Sequence, residues 1–132
     1  MAKEPRSNTE INDLLMIVER DLKDSKNSDL SFDWQFGIAY NAAFKLATII
    51  VRASGLRVRA MGHHMYTINM IPQLMGLDKI DDSNYLETCR CKRNLVEYDS
   101  VGGATKEDVE ELRQFVIEFR SEVILWMKKN NF

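Results

Sequence analysis

Cysteine is scarce in this sequence, and the two residues present, Cys89 and Cys91, lie only two positions apart. On a helix that offset turns the side chains about 200° from one another, so the pair cannot easily bridge or share a tetrahedral metal. Both read as reduced thiols of a cytosolic chain, and no metal site or cofactor is expected. Histidine is equally scarce, confined to the neighbours His63 and His64. Long apolar runs are missing too. The longest strongly apolar stretch, Ala47–Val51, falls far short of the roughly 20 residues needed to cross a bilayer. Residues 1–8 are polar and lack the apolar segment of a signal sequence, which completes the expectation of a soluble cytoplasmic protein. Charge of one sign is absent as well: 18 basic against 20 acidic side chains leave a net charge of −2. No whole-molecule field draws the chain to nucleic acid or an anionic membrane, so any anion site must be local.

What the chain does have is apolar material at helical spacing. With 132 residues and 45% hydrophobic content, it can bury a core without disulfides or a structural metal, and one domain over 1–132 with a polar tail over 1–8 is expected. Ile11, Leu14, Leu15, Val18 and Leu22 form the stripe of a first amphipathic helix over 9–25. After a break at 26–29, an alanine-rich helix runs from Leu30 or Ser31 to Ser54, with Gly55 at its C-cap. Its small residues Ala39, Ala42, Ala43 and Ala47 would let other helices approach closely, so this helix should be central. A basic connector with Arg57 and Arg59 leads to a third helix over 63–74, which Pro72 should bend or end. Asp81-Asp82-Ser83 offers N-cap chemistry to a fourth helix over 83–98, and the glycine-marked segment 99–103 breaks it. Thr105 and Asp108 make a capping-box-like start to a fifth helix with Val109, Leu112, Val116, Phe119, Val123 and Trp126 or Met127 on its apolar face. No β-alternation, internal repeat or low-complexity segment competes. The expected fold is all-α, an antiparallel up-and-down bundle of four to five helices.

Chemistry concentrates in the fourth helix, where Arg90 and Arg93 share a face with Glu97 and Arg93–Glu97 is an i,i+4 pair. A solvated charged face is the plain reading. Tyr98 follows Arg93 by five residues, close enough for its hydroxyl to stand near the guanidinium. The run Arg93-Asn94-Leu95-Val96-Glu97-Tyr98-Asp99 resembles the Arg-Asn-x-x-x-His element of the HEPN superfamily of small helical bundles, with Tyr98 in place of the histidine. Ala39-Tyr40-Asn41-Ala42-Ala43-Phe44 resembles the Arg-Ala-Tyr-Tyr-Ala-Ala-Phe helix of one prokaryotic branch of that superfamily. The Arg-x-x-x-x-Tyr-Asp ending, followed by a capped, Glu-rich last helix, resembles the same branch, so the resemblance spans roughly 30–128.

That resemblance implies a bundle that commonly dimerises, two Arg-bearing segments meeting in a cleft. In active members the cleft cleaves RNA without metal, arginine on phosphate and histidine on the 2′-hydroxyl and leaving oxygen. A phenol with a pKa near 10 is a poor proton acceptor at neutral pH, which puts that route in doubt here. Arg93 and Asn94 still supply charge-assisted hydrogen bonds to a phosphate. Three expectations follow. One is a domain of a toxin–antitoxin or defence-type system that binds a nucleotide, an RNA phosphate or a partner protein through Arg90, Arg93, Asn94 and Tyr98. The resemblance also implies a nucleotidyltransferase partner that modifies Tyr98. The second is a metal-independent endoribonuclease using Arg93 with His63 or His64, the only near-neutral acid–base groups; packing or capping is the plainer role for both. The third is a homodimeric structural module without a ligand. Met61, Met65, Met70 and Met75, clustered around the third helix, fit an adaptable contact surface or core filling alike.

Overall fold

The computed structural model describes residues 1–59, 62–95 and 103–132. Five α-helices account for most of them: α1 (Asn8–Asp24), α2 (Phe32–Ala53), α3 (His63–Met75), α4 (Ile80–Asn94) and α5 (Lys106–Lys129). The protein is an all-α helical bundle, and α2 is its centre. Every other helix packs on α2, and its alanines are the reason: Ala39, Ala42, Ala43 and Ala47 are sealed from solvent beside Phe36, Tyr40, Leu46, Ile49 and Ile50. Small side chains bring the neighbouring backbones in, and large ones fill the space between. α2 is apolar and long enough to cross a membrane by length and composition, yet 78% of the apolar window is buried against the rest of the protein. α1 and α5 complete the core with Ile11 and Val18 from one and Val109, Leu112, Val116, Phe119, Val123 and Met127 from the other.

Local chemistry sets the helix ends. Ser31 accepts from the Trp34 N–H at the start of α2, and Ser7 accepts from Glu10 N–H at the start of α1. The expected capping box of α5 forms in full, Thr105 Oγ1 accepting from Asp108 N–H and Asp108 accepting from Thr105 N–H. α2 ends as its sequence predicts, with Gly55 in the left-handed region at φ 75°.

α3 runs through Pro72 to Met75, one residue past the expected 63–74, while α4 begins at Ile80, three residues before the expected Ser83. Proline lacks the N–H that would bond the carbonyl four residues back, that of Ile68. Ser83 Oγ, buried inside α4, donates to this oxygen at 2.9 Å. The serine read as a cap is therefore the donor that makes Pro72 tolerable. Lys79 stands at the N-cap of α4 without a side-chain cap bond, and a 3-10 turn (Leu77–Lys79) feeds directly into the helix. Asp81 and Asp82 lie in the first turn, where the helix dipole favours negative charge. The expected end of the fourth helix at Tyr98 falls outside the described residues.

The first residues are not a free polar tail, and the connector after α2 is not a solvated basic loop. β1 (Ala2–Lys3) pairs antiparallel with β2 (Leu56–Arg57), Ala2 opposite Arg57 and Lys3 opposite Leu56. Beneath this two-stranded ribbon lies Arg52, only 2% exposed. Its Nε donates to Glu10 Oε1 at 2.6 Å, and its terminal nitrogens donate to the carbonyls of Glu4 (3.1 Å), Pro5 (2.8 Å) and Leu56 (2.8 Å). Arg57 bonds Glu4 at 2.5 Å and Glu10 at 2.7 Å, and Arg59 reaches Glu4. Burial of an arginine is costly unless its donors are met, and this arrangement meets them with Glu10 and three backbone carbonyls.

Candidate functional site

A cavity of about 260 Å³ lies where α1, α2, α3 and α4 converge. α2 supplies Trp34, Tyr40 and Asn41, α1 supplies Asp21, α3 supplies His64, and α4 supplies Arg93. Arg93 was expected from the motif and His64 as a candidate base.

Arg93 follows Asp21 by 72 residues and His64 by 29. What brings the three together is α2, against which all their helices pack.

The Arg93 guanidinium carbon lies 5.4 Å from the centre of the Tyr40 ring, a cation–π placement that holds the charge at the cavity. Arg93 also donates to the Asn94 carboxamide at 3.5 Å. Tyr40 is buried to 1% exposure, and its hydroxyl stands 2.9 Å from His64 Nδ1. Burial raises the Tyr40 pKa above its ordinary value, so the phenol keeps its proton. The His64 ring stacks flat on Phe44, centres 3.8 Å apart and planes within 2°. Burial, then the Arg93 charge, pushes the His64 pKa down to about 4, which leaves a neutral imidazole at pH 7. Asp21, only 5% exposed, accepts from Asn41 Nδ2 at 2.6 Å and from Arg20 Nε at 3.1 Å. Trp34 is 63% exposed at the edge of the cavity, an indole face open to solvent.

Compared with protein-family models, with curated proteins and with solved structures, the chain has no match. The site is therefore read from its own chemistry. Arg93 and Tyr40 offer a cation held on an aromatic face, Asn41 and Asp21 offer polar atoms, and Trp34 offers a stacking surface.

The other expected residues are placed less centrally. His63 is exposed, edge-on to Phe44 at 5.4 Å, and does not line the cavity. Arg90 is held by Glu87, one turn away, through contacts of 2.5–3.1 Å. Glu97 and Tyr98 lie outside the described residues, so the Arg93–Glu97 pair and the Tyr98 position do too. Cys89 is buried and Cys91 exposed, and burial pushes the Cys89 thiol up to about 12. Among the described residues no group of three or more His, Cys, Asp or Glu side chains is disposed to hold a metal ion.

Trp34, Asp21, Tyr40 and Asn41 were not expected as site residues from the sequence, Tyr40 and Asn41 being read only as part of the family-like run 39–44. Asp21 had a usable signal: it follows Val18 by three residues and so intrudes on the apolar side of α1. Trp34 had none, since an aromatic residue in the first turn of an apolar helix reads as core.

Proposed function

We propose that the Arg93 cavity binds a nucleotide or an RNA phosphate, in keeping with the resemblance to the HEPN superfamily. The observation that carries this reading is the Arg93 guanidinium held over Tyr40 at a cavity edged by an exposed tryptophan. A guanidinium fixed on an aromatic face is pre-organised for a phosphate, and an open indole takes a base. His64 with its pKa near 4 is almost wholly unprotonated at neutral pH and is a weak base there, which favours binding over general acid–base chemistry. Titration with adenosine monophosphate, followed by Trp34 fluorescence, tests the reading. Saturable quenching is expected, weakened at least tenfold by Arg93→Ala; equal binding by that variant would overturn it.

A second reading is a metal-independent endoribonuclease, favoured by the meeting of Arg93 and His64 at one cavity. RNA cleavage lost in both Arg93→Ala and His64→Ala would support it, and cleavage that survives either change would not. The same family resemblance supports a homodimer, and a toxin–antitoxin or defence-type setting with a nucleotidyltransferase acting on Tyr98. Mass spectrometry of Tyr98 after co-expression with such an enzyme is the corresponding test.

A further inference from the structure

A second cavity, of about 380 Å³, opens between the start of α2, the α1–α2 connector and the start of α5. It repeats the chemistry of the first: an exposed aromatic ring beside cationic groups. Phe32, 44% exposed, lines it together with Lys26, Lys106 and Arg113. Arg113 is fixed by its Nε, which donates to Ser25 Oγ at 3.1 Å, and Ser25 is itself sealed from solvent and bonded to Leu22 O. The one carboxylate in the lining is Glu110, whose contact with Lys106 is 3.9 Å between two well-exposed side chains and is worth little.

The two cavities lie on different sides of the same helical turns. Trp34, Ile38 and Asn41 line the first, and Phe32 and Gln35 line the second. At about 100° per residue the two sets are roughly 130° apart around α2, an arc on the order of 12 Å on a helix about 10–12 Å wide. We infer that the ligand is a single-stranded oligonucleotide, running from the Arg93 cavity around the first turns of α2 to a second phosphate site at Lys26, Lys106 and Arg113. This rests on the phosphate-binding reading of the Arg93 cavity. Unpaired bases stack on Trp34 and Phe32, and linked phosphates bridge the two cationic groups, the combination by which single strands are held. Paired bases have no free face to offer either ring.

Binding of oligoadenylate RNA of one to eight nucleotides, measured by fluorescence, tests the second site in wild type, Lys26→Glu/Lys106→Glu and Arg93→Ala. Both lysines are exposed, so circular dichroism should match wild type. Affinity is expected to rise at least tenfold from the monomer to a chain of about four to six nucleotides. The double lysine variant should lose that rise while binding the mononucleotide as wild type does. An affinity independent of length, a rise that survives the lysine changes, or a duplex that binds as tightly as the single strand would overturn the inference. Loss of mononucleotide binding is judged separately by Arg93→Ala, so failure of the first cavity is distinguishable from failure of the second.

Discussion

His64 shows how one half-buried side chain couples the site to pH. In the unfolded chain an imidazole takes up its proton near 6.5, whereas in the fold burial and Arg93 delay this to about 4. Between those values the unfolded chain holds the extra proton, so stability is fully present above pH 6.5 and falls as pH drops towards 4. Glu4 and Glu10, with carboxyls held below their usual range by arginine, add their own loss at lower pH. Urea midpoints should therefore decline from pH 7 to pH 5 in wild type and stay flatter in His64→Gln; equal slopes would exclude the histidine as the source. Arg52 is the other decisive residue. Replacing it with Met should cost about 3 kcal/mol in urea unfolding, because Glu10 loses its buried cation and the carbonyls of Glu4 and Pro5 lose their donors. Arg52 was illegible in the sequence, where it is one more basic residue at the end of a helix.

At the scale of elements, periodicity carried most of the information. α1, α2, α3 and α5 follow their apolar spacing, α4 was placed by its flanking break and acidic start, and the α5 capping box was readable from Thr105 and Asp108 alone. The exceptions are long-range: the β1–β2 ribbon and the Ser83–Ile68 bond join segments that no local pattern connects. The latter makes a sharp prediction. Ser83→Ala should destabilise the protein by about 1–2 kcal/mol by stranding the Ile68 carbonyl. In a Pro72→Ala background, where residue 72 regains its N–H, the same change should cost much less. Additive effects in that double-mutant cycle would show that the serine acts elsewhere. The site was legible only in part: Arg93 and His64 were named as candidates, Tyr40 and Asn41 stood only within the family-like run 39–44, and nothing local announced that α2 would collect them.

For the molecule as a whole, the first residues and the Arg52 cluster form one unit. Removing residues 1–5 deletes β1 and two of the carbonyl acceptors, and should destabilise about as much as Arg52→Met does. Made together, the two changes should cost well under their sum, since each removes the other's purpose; a full sum in chemical unfolding would separate them. The central position of α2 carries a different consequence, one of timing. Within these residues α5 is the last helix to be synthesised, and it covers α2 across a long stretch of intervening chain. Until it arrives, an alanine- and isoleucine-rich surface has nothing to bury it, and such surfaces draw chains into aggregates. A chain ending at residue 104 should collect in the insoluble fraction while the full length stays in solution. The helix that organises the finished bundle is thus its chief hazard during assembly.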